Sequence, residues 1–197
     1  MFDINFNRLF TGCLTLTMLA MAPPAMAQDV LDSDTDGLTD AQEEQYGTYL
    51  GNPDTDGDGY TDGHEVMHGY DPAVAGSARL AKRIDIDLSE QRLRYYYGEF
   101  GEQGNFLISS GVRKTPTPIG TFRVEAKLPT ARYRGRGYDF RNVKWNLNFL
   151  PSYYIHGTYW HHNFGRPMSH GCVNAPYSEM QKLYEFADTS TTVTIHD

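Results

Sequence analysis

From about residue 82 onward, apolar and polar residues alternate with a period of two. Ile84, Ile86 and Leu88 are interleaved with Asp85 and Asp87, and Leu93, Tyr95 and Tyr97 with Arg92, Arg94 and Tyr96. That spacing puts one set of side chains on each face of a strand. Residues 105–110, 121–126, 142–149, 153–155 and 191–196 also have strand composition, separated by Gly and Pro punctuation. One helix interrupts the pattern: Pro176 can open it, and Met180, Leu183, Tyr184 and Ala187 recur at helical spacing. The expected domain, residues 79–197, is mostly β, a sandwich or small barrel with one or two helices.

The N-terminus follows a different pattern. Met1 to Arg8 carries one basic residue, an interrupted apolar run covers Leu9 to Met21, and Ala25-Met26-Ala27 has the small-x-small form of a cleavage site. Residues 1–27 are therefore expected to be a signal peptide, with an uncleaved anchor as the alternative. The run is shorter than the roughly 20 residues a bilayer span needs, and no later segment is longer, so no stable membrane span is expected. Export places the mature chain in the periplasm or outside the cell, associated with the envelope. It also argues against nucleic acid as a partner for Arg132, Arg134, Arg136 and Arg141, which are interleaved with Tyr133, Gly135, Gly137 and Tyr138. They read as a flexible basic loop, either plainly solvated or suited to an anionic glycopeptide.

Charge separates two further regions. Residues 29–71 hold thirteen Asp and Glu and no Lys or Arg, while residues 72–197 hold sixteen basic and eleven acidic residues. The acidic stretch would repel itself apart unless cations neutralise it. Residues 32–47 recur at 54–69 with eight of sixteen positions identical, which marks a tandem repeat. Asp32, Asp34, Asp36, Leu38, Asp40 and Glu43 fall at positions 1, 3, 5, 7, 9 and 12 of a calcium loop, and so do Asp54, Asp56, Asp58, Tyr60, Asp62 and Glu65. Position 7 offers its backbone carbonyl, and Gly37 and Gly59 permit the bend at position 6. Residues 28–72 are thus expected to bind calcium as a structural cofactor. An acidic disordered linker is the alternative. Residues 73–78 read as a small-residue linker. His64-Glu65-Val66-Met67-His68 also satisfies a zinc-protease pattern, but Glu65 already serves as the twelfth position of its loop and no third ligand is evident.

With the leader removed, Cys172 is the only cysteine, so it has no disulfide partner within the chain and reads as a nucleophile. It sits in Ser169-His170-Gly171-Cys172-Val173-Asn174, downstream of Ile155-His156-Gly157-Thr158. These segments resemble the YkuD-type L,D-transpeptidases, which remodel bacterial peptidoglycan, and the stretches at 86–93 and 110–122 resemble that family's opening strands and central loop. The acidic repeats resemble thrombospondin type 3 or EF-hand-like calcium repeats. The resemblance implies a YkuD-like β-fold and a Cys172 nucleophile that carbapenems acylate. His156 is implied as the base, oriented by the Gly157 carbonyl, with His170 in the local framework and Ser169 in a structural hydrogen bond. Backbone N–H groups of Gly171 and Cys172 would face the oxyanion. Asn174 shares a strand face with the sulfur and suits an amide contact to substrate; Tyr154, Gly157 and Arg166 are further candidate contacts. Other readings stay open: Cys172, His156 and His170 could hold zinc, and a wall-binding protein could carry a vestigial site. His161 and His162 read as exposed loop residues. The implied partners are tetrapeptide stems of peptidoglycan, which acylate Cys172 through their third residue with loss of D-alanine. The candidate acyl acceptors are a second stem, giving a 3→3 cross-link, an envelope protein, an amino acid or water, the last making an L,D-carboxypeptidase, and catalysis needs no cofactor.

Overall fold

The computed structural model describes residues 31–197 apart from Ser77 and Arg136; the expected signal peptide lies outside the described residues. The chain folds into two mixed β-sheets. The first comprises β1 Lys82–Asp87, β2 Arg92–Tyr97, β3 Gly101–Leu107, β4 Gly120–Arg123 and β9 Thr192–His196, in the order β3-β2-β1-β9-β4. The second comprises β5 Ala126–Gly135, β6 Tyr138–Leu150, β7 Tyr153–Thr158 and β8 Val173–Pro176, in the order β5-β6-β7-β8. The pairs β1–β9 and β7–β8 are parallel and the others antiparallel. The fold is mostly β, as the alternation predicts.

The period-two pattern sets the core. Ile84 pairs with Tyr95 and Val193, and Ile86 with Leu93 and Ile195, so these apolar side chains share one face and are buried. They pack against Leu147, Phe149, Ile155 and Val173 of the second sheet. Helix α3, Tyr177–Phe186, starts at the expected Pro176 cap and drives Met180 and Leu183 into the same core. Each such fully buried side chain contributes about 1.5–3 kcal/mol.

Residues 132–141 depart from the sequence reading. Residues 132–135 end β5 and 138–141 begin β6, and Gly137 has φ of 90°. Arg132 holds Asp139 through two hydrogen bonds of 2.7 Å each, and Tyr138 stacks on Phe140. On this arm Tyr133, Tyr138 and Phe140 are half-buried on the cleft side while Arg132, Arg134, Asp139 and Arg141 are exposed on the other, an alternation that the glycines and arginines of the turn obscure in the sequence.

The repeats each give a short helix, α1 Asp40–Tyr46 and α2 Asp62–His68, capped by Thr39 and Thr61 and ended by left-handed Gly47 and Gly69. The identical cap residues of the two copies explain the identical boundaries. Helix α2 docks on β2 and β3, and α1 on the turn between them. Val66 is buried, the Tyr46 hydroxyl accepts the Phe100 N–H at 3.0 Å, and Gly69 lies against the Tyr97 ring, where a Cβ would come within 2.5 Å. Tyr70 and Arg79 form an antiparallel bridge, and the Asp71 N–H donates to the Ala78 carbonyl at 3.2 Å.

Candidate active site

Strand register brings the two key side chains to one face. In the parallel pair β7–β8, His156 is opposite Asn174, and Cys172 precedes Asn174 by two residues, so all three face the same way. They line one cleft of about 400 Å³ with Tyr133, Tyr138, Phe140, Trp160, His161, Met168, Ser169 and His170. The β5–β6 arm forms one wall, where Phe140 stacks on Trp160 at 3.8 Å and 6°. Tyr133 covers the His156 ring at 4.6 Å and is tied by its hydroxyl to Asn146.

His156 is only 3% exposed. Its Nδ1 lies 3.1 Å from the Gly157 carbonyl; a carbonyl only accepts, so Nδ1 carries the proton and Nε2 keeps its lone pair. Burial holds the imidazole down at about 4, neutral at physiological pH. Burial also pushes the Cys172 thiol up, and its Sγ lies 3.8 Å from the Ser152 carbonyl. The resting pair is therefore a neutral thiol and a neutral base, and charge has to develop during attack.

The turn before β8 is tightly held. Ser169 Oγ donates to the Cys172 carbonyl and accepts the Gly171 N–H at 3.0 Å. The Gly171 N–H is thus already engaged, which departs from its expected place facing an oxyanion. Thr117 ties the turn to the central loop by accepting from Gly111 at 2.8 Å and donating to the Gly171 carbonyl at 2.9 Å. Gln91 braces that loop through both the backbone N–H and the side-chain hydroxyl of Ser110. Gly171 has φ of 117°, and a Cβ there would come within 2.7 Å of Tyr153. Gly171→Ala is expected to cost roughly 1–3 kcal/mol of stability and to lower turnover at least tenfold. Thermal denaturation and steady-state rates would check both.

His161 is half-buried in the cleft wall, not the exposed loop residue its surroundings in the sequence suggest. Its Nδ1 accepts the Asn163 N–H at 3.2 Å, so the ring proton sits on Nε2, which lies 3.0 Å from the Asn174 Nδ2. Two donors cannot bond, so a half-turn of the Asn174 amide, which brings its oxygen to Nε2 and leaves the NH2 to face the cleft, satisfies both groups. The sequence held no periodic signal for this contact, because His161 lies in an irregular segment between β7 and β8.

The remaining expected residues are dispersed. His170 is exposed at the rim, 5.2 Å from the Tyr138 ring. Tyr154 lies outside the cleft, in a groove on the other side of Tyr133. Gly157 is buried against the Tyr177 ring, and exposed Arg166 is not among the lining residues.

In the acidic repeats, the carboxylates of Asp32, Asp34 and Asp36 converge within 4.8 Å, as do those of Asp54, Asp56 and Asp58. Both carboxylate oxygens of Asp34 and Glu43, and one each of Asp56 and Glu65, are buried without a hydrogen-bond partner. Burial together with neighbouring carboxylates pushes Glu43 and Glu65 up to about 7. Buried, unpartnered carboxylates gathered in this way fit a hard cation with oxygen ligands, and Asp32, Asp34, Asp36 and Glu43, with their counterparts in the second loop, would hold it. Asp40 and Asp62 stand apart. Each binds the backbone N–H and hydroxyl at position 2 of its own loop, Ser33 and Thr55, at 2.8–2.9 Å, and so braces the loop instead of joining the cluster. Leu38 is buried and Tyr60 exposed; position 7 contributes only its carbonyl, which leaves the side chain free to vary.

A model of the L,D-transpeptidase catalytic domain, YkuD, matches residues 81–195. The chain belongs to this family. A model of the bacterial TSP3 repeat matches residues 32–48 and 54–75. Solved structures with the same fold include an L,D-transpeptidase from Mycobacterium smegmatis, 19% identical with a TM-score of 0.57, where the match covers 61% of each chain. An Enterococcus faecium L,D-transpeptidase solved as a cysteine-to-serine mutant is 28% identical with a TM-score of 0.53, over 59% of this chain and 50% of that one. The catalytic domain from E. faecium L,D-transpeptidase, solved by NMR, is 29% identical with a TM-score of 0.52, over 58% of this chain and 96% of that one. The chain thus covers less than two thirds of the first two proteins. No curated protein sequence matches the chain. Among the described residues, no helix of this YkuD-family chain is long and apolar enough to cross a membrane.

Proposed function

We propose that the protein is an exported, cysteine-dependent L,D-transpeptidase that acts on tetrapeptide stems of peptidoglycan and carries a calcium-stabilised N-terminal module. The observation that supports this most is the anchored Nδ1–H of His156, which leaves a bare Nε2 on the strand face it shares with Cys172. In the proposed reaction Nε2 takes the thiol proton as Sγ attacks the carbonyl of the third stem residue. The Cys172 N–H, rather than that of Gly171, faces the oxyanion. The protonated His156 then gives its proton to the departing D-alanine amine, leaving a thioester on Cys172. An acceptor amine, deprotonated by His156, attacks the thioester and restores the thiol. Water in place of the amine would yield a trimmed stem. The NH2 of Asn174 donates to a substrate carbonyl or carboxylate, and the aromatic wall excludes water from the thioester.

A carbapenem is the probe for this reading. The full chain should gain the mass of one drug molecule, located on the peptide that contains Cys172. An unlabelled thiol would count against the proposal.

A further inference from the structure

Asn174 is held in the cleft by a closed circuit of hydrogen bonds that returns to its own side chain. Its backbone N–H and C=O exchange bonds with the C=O and N–H of Ser109, both at 2.9 Å. Ser109 Oγ donates to the Asn163 carbonyl at 3.0 Å, the Asn163 N–H donates to His161 Nδ1 at 3.2 Å, and His161 Nε2 lies 3.0 Å from the Asn174 amide. Ser109 is fully buried and Asn174 is 3% exposed, so a partner lost here is not simply replaced by water. The irregular segment that carries His161 is fixed in two more places. The Gly165 N–H donates to the Ile108 carbonyl at 2.8 Å, and the Phe164 ring lies 5.3 Å from the His161 ring. Burial, with His162 adjacent, holds the His161 imidazole below its ordinary value. A neutral imidazole carries one proton, and with Nδ1 accepting from Asn163 that proton is on Nε2, where only the amide oxygen of Asn174 can meet it.

We propose that His161 is a positioning residue for substrate recognition: it fixes the polarity of the Asn174 amide, so that the cleft presents a hydrogen-bond donor there and selects a stem that places a carbonyl or carboxylate oxygen opposite it. The two ends of an amide occupy nearly the same space, so packing alone does not choose between them. The ring does choose, because Asn163 and Ser109 leave it one tautomer. Without His161 the side chain has to be ordered again at each binding event, which costs roughly two- to tenfold in affinity. The role rests on the reading of peptidoglycan stems as the substrate.

Calorimetric titration of the full chain carrying Cys172→Ala with tetrapeptide tests it. His161→Ala should weaken binding by roughly two- to tenfold. His161→Glu only accepts and draws the NH2 away from the cleft, so it should weaken binding by roughly tenfold or more. The isosteric His161→Gln still has a donor and should stay near the wild-type affinity. With Asn174→Ala already present, all three substitutions should have no further effect. Equal losses in Gln and Glu, or the same losses without Asn174, would overturn the proposal, because a merely structural role predicts both. In turnover by chains that keep Cys172, the His161→Ala loss should fall on KM, with kcat changed by less than about twofold. ¹⁵N NMR of His161 needs no substrate: the proton should be on Nε2, and a proton on Nδ1 would overturn the proposal. A wild-type chain that leaves stems unchanged, while stems bind with this dependence on His161, would sink the transpeptidase reading and support the role of His161; absence of stem binding would overturn both.

Discussion

Cys172→Ala is expected to abolish acyl transfer, and His156→Ala to lower kcat by about 10²–10⁴-fold while substrate still binds. The two effects differ because the thiol supplies the bond that forms, whereas the imidazole supplies a proton transfer that water performs poorly. The pH profile adds a second constraint. Burial holds His156 at about 4, and protonation below that value fills the Nε2 lone pair. The acid limb of kcat/KM should therefore fall near pH 4 and not near the usual histidine value of about 6.5. A limb near 6.5 in steady-state rates would mean that the covering of His156 by Tyr133 and Trp160 opens to water in solution.

Calcium is expected to have the largest effect on stability, with a dependence on pH that follows from Glu43 and Glu65. Both are raised from 4.5 to about 7, so the metal-free folded state binds more protons than the unfolded chain between those values. Stability then falls as pH rises through that window, and the full penalty is present above about 7. A bound divalent cation offsets it, and protons compete with the cation below about 7. The melting temperature should therefore rise more on calcium addition at about pH 8 than at about pH 5. An equal rise at both would contradict the assignment of these two carboxylates as ligands. Because α2 docks on β2 and β3 and α1 on the turn between them, EGTA should lower the melting temperature of the whole chain. All the proposed catalytic groups lie beyond residue 79, so activity at 25 °C should largely survive.

Much of this was legible in the sequence because the determining pattern was local. Alternation over Ile84, Ile86, Leu93 and Tyr95 depends only on which face meets the core, and the repeat sets Asp32, Asp34, Asp36 and Glu43 at the same loop positions as Asp54, Asp56, Asp58 and Glu65. What escaped depended on hydrogen bonds between distant or irregular segments. Spacing alone puts the Gly171 N–H in the nucleophile's turn, but only the fold shows that Ser169 Oγ takes it. Position 9 of each loop looks like a ligand until its carboxylate is seen holding Ser33 or Thr55. The arm at 132–141 covers the cleft with only Tyr133, Tyr138 and Phe140, and its strands are held by cross-strand pairs such as Arg132 with Asp139, which no periodicity announces. His161 became part of the cleft only through Asn163 and Asn174.

The most direct test is to incubate the full chain with disaccharide-tetrapeptide and a free amine acceptor, then weigh protein and products by mass spectrometry. The account predicts stems that have lost one alanine and gained the acceptor, together with a transient thioester on Cys172, and neither from Cys172→Ala. Unchanged stems with the folded wild-type protein, or the same products from Cys172→Ala, would contradict it.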